Sequence, residues 1–215
     1  MSGNVLIAGS TSRIGNHLIS YFKTKDYKRV FGASRRFDSA VSTENYIQIS
    51  SEGLIFIPEH IELAIITIGD HIPSPVGTSP DVIQKIINSN LTTVISIVHQ
   101  LSDSMKNGNI IVFSDALVSR VVREYSAYYA AKAGLETFVR AIAREMAPEI
   151  RINCIAPGIM NLKNSAKEDA LERWSAKVPL GTLGGMQSVV TAVEFIVESE
   201  YMTGSIVKID GGISC

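Results

Sequence analysis

A chain of 215 residues, 46% of them hydrophobic and 19% charged, is enough for one globular domain and too short for two full ones. Folding at this length buries roughly 70% of the unfolded surface, so a core forms without disulfides or structural metal; Cys154 and Cys215 make neither a zinc cluster nor a secreted disulfide framework. Twenty Lys and Arg against 21 Asp and Glu leave a formal charge of -1, which excludes a global field drawing the chain to nucleic acid or anionic lipid.

The start, Met1-Ser2-Gly3-Asn4, lacks the basic and apolar regions of a secretory signal, and no apolar run approaches a membrane span. A single cytoplasmic domain over 1–215, with no membrane or nucleic-acid partner, is the expectation. Short apolar runs then alternate with helical periodicities, the pattern of a parallel sheet covered on both faces. Residues 5–8 read as the first strand. Ile14, Leu18, Tyr21 and Phe22 form one apolar stripe on a helix that opens after Gly9 and closes at the charged run 23–29. Residues 30–33 read as strand two and 46–49 as strand three, with room between 36 and 63 for only one short helix besides. Residues 63–68 are strand four.

Ser79-Pro80 offers an N-cap followed by proline at the first helical position, and a long helix is predicted from there to about 106. Residues 110–113 are strand five. A second long helix, over 125–146, stops before Pro148. Residues 151–156 are strand six. A capping-box pattern at Ser165 and Glu168 predicts a small helix containing Trp174, and 189–197 and 205–209 supply the last helix and strand.

Strand one runs into Ala8-Gly9-Ser10-Thr11-Ser12-Arg13-Ile14-Gly15 and a helix, so backbone N–H groups and a positive helix end converge where a pyrophosphate can sit. By itself this loop reads equally as a tight strand-to-helix turn. Tyr128 and Lys132 stand four apart at the start of a helix and share a face; a cation beside a phenol favours phenolate and brings the group toward acid–base use. Taken alone, that pair reads as an amphipathic helix with a core aromatic and a surface lysine.

In chain order with Asn90, Ser114, Pro157-Gly158 and the ending from Tyr201 to Gly212, these elements resemble the short-chain dehydrogenase/reductase family from Val5 to Gly212. The resemblance implies a single Rossmann-type doubly wound parallel sheet of about seven strands and hydride transfer between a nicotinamide and a carbonyl or alcohol. It implies that Tyr128 protonates the carbonyl oxygen, that Lys132 lowers the tyrosine pKa and holds the nicotinamide ribose, and that Asn90 orders a relay water. Ser114 would polarise the substrate oxygen, Pro157 and Gly158 would pass the nicotinamide ring, and Gly69 would stay beside the cofactor.

Three positions depart from the family. Arg13 stands where a third glycine is usual. Ile66-Thr67-Ile68-Gly69 replaces Asn-Asn-Ala-Gly and keeps only the glycine. The family's serine commonly lies thirteen residues before the tyrosine, where this chain has Asp115, with Ser114 one residue earlier. Ser114 is favoured, because a carboxylate aimed at a developing oxyanion opposes the reaction unless protonated; Asp115 stays open. After strand two, Ser34-Arg35-Arg36 takes the place of the acid that binds a ribose 2'-hydroxyl, and paired guanidinium hydrogen bonds suit a 2'-phosphate, so NADP(H) is the expected cofactor.

The four histidines do not cluster, so no metal site is expected. Cys154 reads as a small core residue. Substrate identity would lie in loops 70–79 and 159–185, and a homo-oligomer, tetramer or dimer, follows from the family's pairing of long helices. The alternative function is a catalytically inactive NADP(H)-binding sensor or regulatory protein of the same fold.

Overall fold

The computed structural model describes residues 3–36, 43–50, 52–161 and 168–215. Its centre is an eight-stranded sheet in the order β4-β3-β2-β1-β5-β6-β7-β8, where β1 is Asn4–Ala8, β2 Val30–Ser34, β3 Tyr46–Ser50, β4 Gly53–Leu54, β5 Ile61–Ile66, β6 Gly108–Phe113, β7 Ile150–Pro157 and β8 Ile206–Ile209. All pairings are parallel except β3 with β4. The two-residue β4 is the strand beyond the expected seven. Its Leu54 N–H is bound by the Gln100 side-chain oxygen at 2.9 Å, and the Gln100 amide donates back to the Leu54 carbonyl at 3.2 Å, so a side chain closes the sheet edge.

Alternate residues of the central strands face opposite layers. Leu6, Ala64, Ile66, Ile110, Val112 and Ile152 pack with α3 (Thr93–Ser104) and α4 (Ser126–Met146). Val5, Ile7, Leu63, Ile65, Ile111 and Ile155 pack with α1 (Arg13–Phe22) and α6 (Met186–Glu198). Both faces are covered, which is why these strands are apolar without alternation. Each fully buried Leu or Ile contributes roughly 1.5–3 kcal/mol of transfer free energy.

The helix predicted over 80–106 departs from regularity. It is α2 (Pro80–Ile87), a π-helical turn (Asn88–Thr92) and α3, which ends at Ser104. The extra residue of a π turn re-aims side chains within a helix, and such turns concentrate at functional sites. The helix α5 (Glu168–Ser175) contains Trp174; the Ser165 of its predicted cap lies outside the described residues. Among the described residues between β2 and β5 there is a 3-10 turn, Thr43–Asn45, and the β3–β4 hairpin. Arg151, at the start of β7, donates to the carbonyls of Ile196 and Val197 in the last turn of α6 and of Ser199 and Met202 just after it, which satisfies acceptors at and beyond the helix end.

Candidate active site

The chain order around the sheet reverses at β1, between β2 and β5, and ligands of open α/β sheets lie outside the carboxyl ends of strands at such a reversal. A cleft of about 750 Å³ opens there, bordered by Gly9, Thr11, Ser12, Ser34, Arg35 and Asp70 among others. Gly9 has φ +92°, and a Cβ on it would lie 2.6 Å from Thr67 Oγ1 and 2.9 Å from the Thr67 carbonyl carbon, so only glycine lets the chain turn this close to β5. Ser12 caps α1, its Oγ accepting the Gly15 N–H at 2.9 Å, and shares a 2.9 Å hydrogen bond with Thr67. The replaced loop text thus has a compensating part: Thr67 ties the glycine turn to the sheet centre. Ser10 is buried with an unpartnered Oγ. Ile14 is half-buried and packs against the core cluster under α1. Arg13, the first residue of α1, is exposed.

Beyond β2, Ser34 is buried and its hydroxyl donates to the Arg36 carbonyl. Arg35 and Arg36 are exposed, with Lys85 of α2 lining the same opening. The Arg35 guanidinium is held bidentately by Asp70, at 3.1 and 3.2 Å. Sequence reading missed both Asp70 and Lys85, since neither lies in a motif and only the fold brings them to Arg35.

The π turn buries Asn90 completely. Its amide donates to the carbonyls of Asp70 and Ile86, each at 2.9 Å, and its Oδ1 has no partner. A Cβ on Gly69 would stand 2.7 Å from that Oδ1 and 3.2 Å from Lys132 Nζ, so Asn90 and Lys132 converge on one bare stretch of backbone. Lys132 donates to the Phe113 carbonyl at 2.8 Å and lies 5.9 Å from the Tyr128 ring centre. Burial drives its amine toward the neutral form, opposed by Cys154 and Asp115. Cys154 itself is a core residue whose thiol burial pushes up to about 12.

Ser114 and Asp115 point in different directions. The Tyr128 hydroxyl donates to Asp115 Oδ2 at 2.9 Å, and Asp115 Oδ1 accepts the Leu117 N–H at 2.8 Å. Ser114, the favoured candidate, is turned away: its hydroxyl donates to Glu136 Oε1 at 2.9 Å beneath α4. The cause is the pleat, because consecutive residues leaving β6 point to opposite faces and only one can meet Tyr128. Burial first, then the charge and hydrogen bond of Asp115, raise the Tyr128 phenol well above its ordinary value, the opposite of what Lys132 was expected to do.

A loop covers this corner. Ser74 accepts the Ala127 N–H on its hydroxyl at 3.1 Å, docking the segment after β5 on the start of α4. His71 stacks on Tyr125 at 4.1 Å between ring centres and meets Tyr128 edge-on at 4.7 Å. At the end of β7, Gly158 passes Asp210 so closely that a Cβ would sit 2.7 Å from its Cα. Among the described residues no group of three His, Cys, Asp or Glu is arranged to hold a metal ion, and no helix is long and apolar enough to cross a membrane.

A family model described as enoyl-(acyl carrier protein) reductase matches residues 61–214. The 3-oxoacyl-(acyl-carrier-protein) reductase of Chlamydia trachomatis is 31% identical over 138 residues, 60% of this chain and 56% of that protein. The enzyme of the same name from Escherichia coli is 26% identical over 234 residues, 97% of this chain and 96% of that one. In the matches of higher identity the chain spans between 36% and 56% of the relatives' length. A short chain dehydrogenase family protein from Francisella tularensis superposes with a TM-score of 0.86 at 18% identity, covering 100% of this chain and 99% of that one.

Proposed function

The chain belongs to the short-chain dehydrogenase/reductase family, and from that premise we propose that it is an NADP(H)-dependent oxidoreductase acting on a carbon–heteroatom double bond of a small molecule, in the family's usual form a carbonyl/alcohol pair. The observation that carries the reading is the convergence of Asn90 and Lys132 on Gly69, which borders the cleft, with the Tyr128–Asp115 pair beside Lys132. A dinucleotide fits the residues present: the cleft has a glycine cradle, and the buried Oγ of Ser10 and Oδ1 of Asn90 lack partners.

When bound, the nicotinamide supplies or accepts a hydride. The backbone from Gly9 to Gly15 would hold the pyrophosphate at the start of α1. Arg35, with Ser34, Arg36 and Lys85 near it, would take the 2'-phosphate, exchanging Asp70 for the phosphate oxygens. Lys132 and Asn90 would receive the nicotinamide ribose and an ordering water beside Gly69, while Pro157 and Gly158 would pass the ring. Tyr128 would hold the proton facing the reacting heteroatom, and the docked loop with His71 would exclude water from it. Working as a homo-oligomer in the cytoplasm belongs to the same proposal, and sedimentation showing only a 23.3 kDa species would remove the oligomer from it.

Titration with NADPH and NADH tests the cofactor: tighter NADPH binding is expected, with the preference lost in Arg35→Ala. Turnover of ketones, quinones and imines with NADPH tests the activity. The raised Tyr128 phenol favours a second reading, an inactive NADP(H)-binding regulator. Nucleotide binding without turnover of any acceptor would select it.

A further inference from the structure

The carboxylate facing Tyr128 makes a demand that a carbonyl does not meet. Both Asp115 oxygens accept hydrogen bonds, from Leu117 N–H and from Tyr128. Asp115 enters none of the ion pairs among the described residues. The nearby bases are otherwise engaged: Lys132 of α4 donates to the Phe113 carbonyl and His71 of the loop after β5 stacks on Tyr125, while burial lowers the pKa of each and Asp115 opposes that shift. The other groups against the pair are aromatic or aliphatic: Tyr125 and Tyr129, with Ile72, Leu117 and Val118. The corner therefore presents a carboxylate outside any of those ion pairs and flanked by ring systems, an environment suited to a cation.

We propose that Asp115 makes this site select a protonated carbon–nitrogen double bond as the group reduced. The proposal rests on the hydride-transfer reading above and narrows its acceptor. When a hydride adds to a carbonyl carbon, the π pair moves to oxygen and negative charge grows beside Asp115, where it is repelled. When it adds to a protonated imine carbon, the new C–H bond forms, the C=N π pair becomes the nitrogen lone pair, and the existing positive charge disappears. The substrate gains two electrons, the reduced nicotinamide that gave the hydride is oxidised, and the nitrogen keeps the proton it arrived with. No proton has to leave Tyr128 in that step, so a phenol that resists ionisation is no obstacle; Tyr128 serves by holding Asp115 in place.

The test uses NADPH with two five-membered-ring probes, 2-methyl-1-pyrroline and cyclopentanone, on the parent, Asp115→Ser and Asp115→Asn. The parent is expected to favour the pyrroline in kcat/KM. Both variants are expected to lower the pyrroline-to-cyclopentanone ratio by about 10²-fold or more, the scale of one group aimed at transition-state charge. The second measurement is calorimetric binding of pyrrolidinium, with cyclopentanol as the uncharged ring, to the protein without nucleotide; pyrrolidinium affinity is expected to fall in Asp115→Asn and cyclopentanol affinity to stay. An unchanged ratio in the variants, or pyrrolidinium binding indifferent to Asp115→Asn, would overturn the proposal and leave the family's hydride transfer standing. Turnover of neither probe by parent or variants, with NADPH bound, would overturn the hydride-transfer reading and this proposal with it.

Discussion

The two ends of the candidate site are built differently. The nucleotide end, formed by β1, β2 and the start of α1, works through backbone: a glycine at φ +92° and a serine cap, with Arg35 and Arg36 exposed at the mouth. The reaction end, formed by β6, α4 and the π turn, works through buried side chains whose hydrogen bonds fix one arrangement: Asn90, Lys132 and Tyr128 are all nearly or fully removed from water. The match to the family model begins at β5 and covers the second end but not the first. A backbone cradle constrains only the few positions where a side chain would collide, whereas a buried hydrogen-bonded cluster constrains the identity of every member.

That contrast predicts that substitutions at the reaction end cost turnover and those at the nucleotide end cost affinity. The largest effect is expected from Tyr128→Phe, which removes the hydroxyl at the reacting end and the bond that holds Asp115: turnover should fall by about 10²-fold or more in steady-state assays while NADPH binding stays nearly intact. Weakened nucleotide binding in Tyr128→Phe would erase the division. Gly9→Ala comes next. A side chain at φ +92° beside the Thr67 backbone should destabilise the fold by about 1–3 kcal/mol in denaturant unfolding and weaken NADPH binding, with turnover at saturating nucleotide little changed.

Ser114→Ala sharpens the register. Its hydroxyl serves Glu136, which also pairs with Arg140 at 3.6 Å, so a stability loss of about 1 kcal/mol and turnover within a few-fold of the parent are expected. A loss of about 10²-fold would instead return Ser114 to the reaction centre. Asp70→Asn should give the smallest change. The Arg35–Asp70 pair is largely exposed and worth at most about 1 kcal/mol, so releasing Arg35 should tighten NADPH a few-fold and leave NADH unchanged in parallel titrations.

The elements were legible because local rules set them. Apolar strands buried on both faces, the Ser79-Pro80 helix start and the stop before Pro148 each need only a few neighbouring residues to be read. The π turn was not legible: its sequence, Asn88 to Thr92, carries ordinary helical periodicity, and the bulge is held by long-range bonds from Asn90 to the Asp70 carbonyl. Thr67 was passed over because the family pattern at that loop was missing, and its bonds to Ser12 and the glycine turn span more than fifty residues.

What the sequence determined by itself was the α/β order, the glycine turn after β1 and the Tyr128–Lys132 face, since each follows from periodicity and spacing within one or two elements. The family resemblance also implied that Ser114 or Asp115 lies by the tyrosine. Which of the two meets it was decided only in three dimensions, where the pleat leaving β6 and the packing of Glu136 under α4 draw the serine inward and present the carboxylate to the phenol. The pairing of Arg35 with Asp70 was decided there too, across the reversal between β2 and β5, because charges on separate strands choose partners by proximity and a linear sequence holds no record of that distance.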